Sequence, residues 1–527
     1  MACSRLFACS AILIGIVLVP ACGRSKDAST ARDFERPPEL GMEFDAAVER
    51  AMTRFADPGL AIGVVKDNRV AFLKGYGMRD RERSLPVTPD TLFGIASCTK
   101  AFTGTIIGML KDEGRVDLDR PIKEYLANFQ LMDPVATSSA SLRDLMLHRT
   151  GLPRHDYVWW GAPFDRHELL RRLRFLEPTS GFRNKWQYQN MMFLTTGLVA
   201  EAVTGQTWDA LVAERIFEPL GMSRSRTSVR DLATDADHAT PYAPQLDGTL
   251  QPLELRNIDN TAPAGAINAS VADMAKWLLW QLGDGKLGDK QLLVPETFQE
   301  LHTPQGISQA DGDYPEESMD AVALGWEVEY YRGYRVVWHT GAIDGFRAFV
   351  GIVPSEQLGV VVLANSDSGK ARTFAARTAL DRMLHLSSVP WEARLQQTPV
   401  VTPPSPLCSD VVLSRPLAAF VGEYLHPGYG LLQIIANNEH LRAVLNGVNT
   451  VMHHCGGDAF QVEDLDLRDE KIVVGMDAAG KPSAILWRLE PDVAPIEFKR
   501  GQVAAAFATN TAALTHGVAK RQRFSER

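Results

Sequence analysis

The spacing of apolar and polar positions changes period several times along the chain, and each change marks an element. "GLAIGVVKDNRVAFLKGYGMRD", Gly59 to Asp80, sets two β-branched apolar runs about the polar "KDNR", a hairpin signal. The period then lengthens. "TKAFTGTIIGMLKDEGRVDLD" puts Phe102, Ile106, Met109 and Leu110 on one helical face and stops at Gly114. "SLRDLMLHRTGLP" opens with a Ser cap and closes in Gly and Pro. "NMMFLTTGLVAEAVTGQTWDALVAERIFEPLGM" reads as two helices broken near Gly205, and "SVADMAKWLLWQLGDG", Ser270 to Gly285, as another capped amphipathic helix. Period two returns in "YRVVWHTGAIDGFRAFVGIVPSEQLGVVVLAN", Tyr334 to Asn365, which alternates and turns like an antiparallel meander. "KARTFAARTALDRMLHL" adds a final helix.

Strands at both ends with helices between them predict an α+β domain over residues 43–390. The early and late strands share an antiparallel sheet, a helical subdomain lies beside it, and the chemistry falls in the crevice between the two. The Pro-rich "TPVVTPPSPL", Thr398 to Leu407, marks a semi-rigid linker within residues 391–411. Beyond it, short strands with closely spaced turn signals predict a small all-β barrel or sandwich over residues 412–500. Residues 501–527, ending in the basic "KRQRFSER", read as a solvated tail.

At 527 residues with 45% hydrophobic content, two folded domains are expected. A formal net charge of -9, with the tail as the only dense basic run, argues against a nucleic-acid partner. The N-terminal residues 1–22 have one early cation, Arg5, an apolar stretch to Val19 and small residues before Cys22, the layout of a secretory signal peptide. "VPAC", Val19 to Cys22, resembles a bacterial lipoprotein processing site, with Val19 where Leu is usual. That resemblance implies export to the periplasm or cell envelope and lipidation of Cys22, so the membrane is met only through a lipid anchor. Residues 23–42 form a polar tether. The cysteines left in the body, Cys98, Cys408 and Cys455, are odd in number and sparse, which predicts no disulfide framework. No C-x-x-C occurs, and His453 and His454 would point to opposite faces of a strand, so neither metal nor cofactor is expected.

The candidate chemistry starts at "FGIASCTKAF". Ser97 and Lys100 stand three residues apart at a helix start, on one face, so the amine can approach the hydroxyl. Burial and the positive helix N-terminus both lower the pKa of a lysine held there. Alone, S-x-x-K also fits a helix start with a solvated lysine. Two further motifs follow. "WQYQNMMF" holds Tyr188 and, two residues on, Asn190; a phenol near a lysine can shuttle protons and an amide can bind a substrate amide. "VVWHTGAIDGF" places His339, Thr340 and Gly341 on a late strand, where glycine permits close backbone approach. A second H-x-G, His426 to Gly428, lies at a turn beyond the linker and reads as structural.

In order and type these motifs resemble the penicillin-recognising serine hydrolases: class C β-lactamases, DD-peptidases, D-aminopeptidases and related esterases. The resemblance takes in "LRDLMLHRTGLPRHD", "FEPLGM" and "APAGAINASVADMAKWL", and spans roughly Glu43 to Leu386. The C-terminal part resembles the lipocalin-like β-domain of one peptidase subgroup. The resemblance implies Ser97 as nucleophile, Lys100 as its base or electrostatic partner, Tyr188 as proton relay, and Asn190 on the acyl-side amide. The backbone N–H groups of Ser97 and Ala342 would form the oxyanion hole, beside Thr340 and Gly341. His339 departs from the Lys usual in β-lactamases; a neutral imidazole attracts a substrate carboxylate less. The expected activity is therefore that of a cell-envelope serine hydrolase that cleaves amide bonds of small peptides, D-residue-containing or peptidoglycan-like, through an acyl-enzyme on Ser97. A carboxylesterase, a β-lactamase or a non-catalytic peptidoglycan-binding protein are the alternatives, and a homo-oligomer is left open. The aromatic "RHDYVWWGAPF", Arg154 to Phe164, fits a lid or plain packing; His148 fits a turn, Asn260 and Ser270 fit caps, and Cys98 fits the core.

Overall fold

The computed structural model describes residues 36–501, apart from residues 246–248, 289, 310–313, 319, 398–404, 409–414, 438–439 and 465–466. The expected signal peptide with Cys22, residues 23–35 of the tether, residues 398–404 and 409–411 of the linker and residues 502–527 lie outside the described residues.

The sheet is antiparallel and nine-stranded, and its order joins the two ends of the domain. Strand Gly59–Lys66 pairs with Leu358–Ala364 on one side, from Leu60 opposite Ala364 to Lys66 opposite Leu358. On its other side it pairs with Arg69–Asp80. The hairpin between them turns at Asp67 and Asn68, both at positive φ (50° and 59°), the backbone a tight two-residue turn requires. Tyr334–Ile343, Phe346–Val353 and Leu358–Ala364 form the late meander.

The central strands are apolar on both faces because both faces are covered. Leu60, Ile62, Val64, Val360 and Val362 pack against helices Met42–Phe55 and Lys370–Met383 through Phe44, Val48, Phe374 and Leu380. Ala61, Val65, Val361 and Leu363 face the helical subdomain, where helices Thr99–Asp112 and Val271–Leu282 lie. The caps read from sequence are present: Ser141 and Asp144 make a reciprocal capping box, Ser270 accepts from the backbone of Asp273, and Gly205 ends its helix at φ 74°.

Close backbone contacts fix the helix that carries Ser97 and Lys100. It opens with a 3-10 turn, Ala96–Cys98, and continues as Thr99–Asp112. Ala96 sits at φ 45°, a left-handed conformation uncommon for a residue with a Cβ. A Cβ at Gly341 would lie 2.1 Å from the Ile95 carbonyl oxygen, and one at Gly325 would lie 2.5 Å from that of Lys100. Glycine at both positions lets the sheet and the 323–326 turn press directly on the backbone of this helix start.

The C-terminal strands close into an eight-stranded barrel, Gly422–His426 through Ile496–Arg500, which resolves the choice between barrel and sandwich. Three sequence expectations need correction. Cys408 and Cys455 are joined in a disulfide, leaving Cys98 as the buried free thiol among the described residues. The segment around Cys408 lies back on the barrel, its N–H donating to Gln461 Oε1 at 3.0 Å, a contact that cysteine parity does not reveal. The linker starts later than residue 391, because Trp391–Gln397 is a helix whose Trp391 is buried and donates to Asp381 at 2.9 Å. The tether also ends earlier: Pro38–Leu40 is a helical turn with Leu40 in the core.

The Gly341 contact gives a direct test. Gly341→Ala must push the Ile95–Ser97 backbone away from the sheet, at a cost of about 1–3 kcal/mol. A lower melting temperature together with slower reaction of Ser97 with a phosphonate probe is the expected outcome; unchanged values of both would show that the contact has slack.

Candidate active site

Four of the residues singled out in the sequence meet at one point. Tyr188 Oη donates to Ser97 Oγ at 2.8 Å, and Lys100 Nζ lies 3.0 Å from the same oxygen. Lys100 Nζ also donates to Asn190 Oδ1 at 2.9 Å and to the Ala264 carbonyl at 2.8 Å. Lys100 has no exposed surface, and its amine lies over the rings of Tyr188 and Phe193, at 4.7 and 5.4 Å from their centroids.

Burial sets the electrostatics. It pushes the Lys100 pKa well below the ordinary lysine value, and the nearby Arg154 cation pushes the same way. A neutral amine has two N–H donors and one lone pair. Asn190 Oδ1 and the Ala264 carbonyl accept the two donors, so the lone pair faces the Ser97 hydroxyl. Burial also raises the pKa of Tyr188, so the phenol keeps its proton and donates it to Ser97. Such an arrangement can take the Ser97 proton while Oγ attacks an electrophilic carbon.

His339 stands nearby without touching Ser97. Its ring centroid is 6.5 Å from that of Tyr188. Its Nδ1 lies 2.6 Å from the Thr340 carbonyl, which can only accept, so Nδ1 carries the proton and Nε2 keeps its lone pair. Burial, with the Lys100 charge as a smaller cause, lowers its pKa to about 3, so the imidazole is neutral near pH 7. Thr340 is half-buried and Gly341 is packed on Ile95. Ala342 is exposed and lines the cleft with Ser97, where the two expected oxyanion donors would both be wanted.

The cleft has a volume of about 360 Å³. Its walls include Tyr157, Trp159 and Trp160 on one side and Ile343, Asp344 and Arg347 on the other. Both arginines that line it are paired with aspartates, Arg154 with Asp156 and Arg347 with Asp367. The aromatic segment read as lid or packing thus supplies a wall of the cleft.

Asp156 is the residue that sequence reasoning passed over. Its Oδ1 accepts from Asn190 Nδ2 at 3.0 Å and from Trp159 Nε1 at 2.8 Å, and Oδ2 accepts from Arg154 at 2.7 Å. It therefore orients the amide that orients Lys100. Its only local signal is the i, i+3 spacing to Trp159. The turn role of His148 holds: at φ 54° its Nδ1 accepts from the Gln189 N–H, and its ring lies 4.5 Å from that of Tyr188. Asn260 pins the aromatic segment by donating to the Trp159 and Ala162 carbonyls. Cys98 is buried with its thiol against the His339 carbonyl, away from the cleft. His426 accepts from the N–H groups of Gly428 and Tyr429, a turn role. No group of three or more His, Cys, Asp or Glu among the described residues could hold a metal ion.

Comparison with known proteins places the chain in a family. An unguisins hydrolase from Aspergillus campestris is 29% identical over 435 residues, 76% of this chain and 78% of that protein. Protein flp of Staphylococcus aureus is 26% identical over 332 residues, 62% of this chain and 63% of its own. The octameric penicillin-binding protein homologue from Pyrococcus abyssi shares the fold, with a TM-score of 0.61 and 22% identity over 84% of this chain and 95% of that one. The Beta-lactamase family model matches residues 44–383. That span runs from the first helix on the sheet to the last and takes in every motif at the cleft, and the chain belongs to the beta-lactamase family.

Proposed function

We propose that this chain is a serine hydrolase that forms an acyl-enzyme on Ser97 and cleaves amide bonds in small peptides, D-residue-containing ones among them. The observation that carries this reading is the buried, lone-pair-bearing amine of Lys100 held against Ser97 Oγ. In the first half-reaction Ser97 Oγ attacks the substrate carbonyl carbon and its proton passes to Lys100 Nζ. The oxyanion meets the N–H groups of Ser97 and Ala342, and each such donor is worth roughly 3–4 kcal/mol to the transition state. Tyr188 gives its phenolic proton to the leaving nitrogen as the C–N bond breaks, and recovers one from Lys100 through the Ser97 site. Water then attacks the ester, its proton returns to Ser97, and the acid product leaves. Asn190, which lines the cleft, is assigned the acyl-side amide in the same reading.

The relative named as an unguisins hydrolase supports a hydrolytic role. The N-terminal pattern ending at Cys22 supports export and a lipid anchor at the cell envelope. Assembly into a homo-oligomer, after the octameric neighbour, belongs to the same proposal. A carboxylesterase is the second reading. It is favoured by the neutral His339 and the paired arginines of the cleft, which leave little to attract a substrate carboxylate. The same features weigh against a penicillin as the natural substrate.

Ser97→Ala should abolish covalent labelling by a fluorophosphonate and lower turnover by about 10⁴-fold or more. Intact-protein mass spectrometry reads the adduct; turnover that survives the change would end the acyl-serine reading. Tyr188→Phe should cost about 10²–10⁴-fold in kcat. The pH profile follows from the lysine. The reaction of Ser97 should speed up as pH rises through the lowered Lys100 pKa, with a plateau reached below the ordinary lysine value of about 10.4. A rate still climbing at that value would show a charged lysine instead. His339 should also make stability pH-dependent. The unfolded imidazole binds a proton below about 6.5, whereas the folded one waits until about 3. Stability should therefore fall as pH drops through that window, and because His148, His155, His302 and His426 are also lowered by burial, His339→Asn should lessen the fall in melting temperature without removing it.

A further inference from the structure

The cleft wall that holds Asp156 is tied at several points to the C-terminal barrel of the same chain. His155 sits at φ 49°, in the left-handed region, with no exposed surface. Its backbone N–H donates to Glu490 Oε2 at 2.6 Å. Its Nε2 lies 2.9 Å from the Glu177 carbonyl, which can only accept, so Nε2 carries the proton and Nδ1 is left as an acceptor for Tyr429 Oη at 2.8 Å. Two residues on, Asn446 Nδ2 donates to the Tyr157 carbonyl at 2.7 Å and to the Tyr429 carbonyl at 3.1 Å. The Gly447 N–H donates to the Trp160 carbonyl at 3.3 Å, and a Cβ at Gly161 would lie 2.4 Å from Gly447 Cα, so the two backbones touch.

These ties flank Asp156 on both sides. From Asp156 the hydrogen bonds run to Asn190, to Lys100 and to Ser97, each at 3.0 Å or less. Within the 154–160 segment, His155 holds a φ that costs energy for a residue with a Cβ. A largely buried loop segment of this kind, held in a costly backbone conformation, keeps it only where its surroundings impose it. Glu177 and Asn260 hold it from within the first domain, and Glu490, Tyr429 and Asn446 hold it from the barrel.

We propose that the C-terminal barrel is a working part of the cleft in its own chain: Glu490, Tyr429 and Asn446 are positioning residues that hold the 154–160 wall so that Asp156 keeps Asn190 and Lys100 in register with Ser97. The inference rests on Ser97 as nucleophile but reaches beyond it, because it assigns a task to the second domain. It also makes the substrate-facing aromatics Tyr157, Trp159 and Trp160 depend on barrel residues more than 250 positions later in the chain.

The test uses the full chain with a small alkyl fluorophosphonate, too short to read the aromatic wall, so that its rate reports the Ser97–Lys100 register alone. Glu490→Ala removes the acceptor for His155, and Asn446→Gly removes the side-chain donor while tolerating the positive φ of that turn (50°). Both should slow phosphonylation of Ser97 by about 10- to 100-fold, the scale of a misplacement near 1 Å. Glu490→Gln keeps an acceptor and should restore the rate to within about twofold of the parent. Arg442→Ala, which removes an exposed bond to Asn449 on the same barrel, should do the same. If Glu490→Ala fails to fold, Asn446→Gly decides. Parent-like rates in folded Glu490→Ala and Asn446→Gly proteins overturn the clamp while leaving the nucleophile intact, and so does a Glu490→Gln protein as slow as Glu490→Ala. A parent chain that does not react at all overturns the acyl-serine reading itself, and the clamp with it.

Discussion

A lysine with no exposed surface is the constraint around which this molecule is arranged. Leaving an ammonium group in an apolar interior without full compensation costs several kcal/mol. The fold meets that cost by letting the amine go neutral and by giving it polar partners: Asn190, the Ala264 carbonyl and Ser97. Each partner comes from a different part of the chain. Removing any of them strands a polar group in a dry site, so the same contacts that make the lysine tolerable also hold it where a serine proton can reach it. The stabilising arrangement and the reactive one are the same arrangement.

Precision at that point comes from backbone more than from side chains. Gly341 and Gly325 bring a strand and a turn against the Ile95–Lys100 backbone at distances that no Cβ would allow. Such contacts cannot slide as side chains can. They fix the helix start on one side, while Phe102 stacked on Trp277 fixes its far face in the subdomain core at a centroid distance of 3.9 Å. The serine therefore sits at the seam between the sheet and the helical subdomain, and the cleft opens along that seam. Its charges are balanced in pairs, and the buried His339 nearby is neutral.

The positions that reasoning from sequence located and those it missed differ in kind. Ser97, Lys100, Tyr188, Asn190 and His339 were all legible, the first four because their spacing places them at two helix starts. The hairpin at Asp67–Asn68 and the Ser141 cap were legible too, since each is written in a short local pattern. Asp156 was not. It looks like any polar residue in an aromatic loop, and only the fold brings it within hydrogen-bonding distance of Asn190, 34 positions away. The Cys408–Cys455 disulfide was missed because an odd cysteine count says nothing about which thiols approach. The linker boundary was missed because Trp391 is held by Asp381 in a tertiary contact, whereas its neighbours read as irregular.

By itself, then, the sequence determined the elements, the order of the motifs, the α+β-then-barrel layout and the identity of four side chains that meet at the cleft. All of these follow from periodicity, capping and the chemistry of single side chains, which act over a few residues. Tertiary structure decided which face of the sheet carries the cleft, how dry Lys100 becomes, which carboxylate orients Asn190, and that barrel residues hold the wall of a site in the other domain. Those outcomes depend on desolvation and on contacts between segments hundreds of residues apart. No local pattern encodes such quantities, because burial is a property of the packed whole and not of any stretch within it.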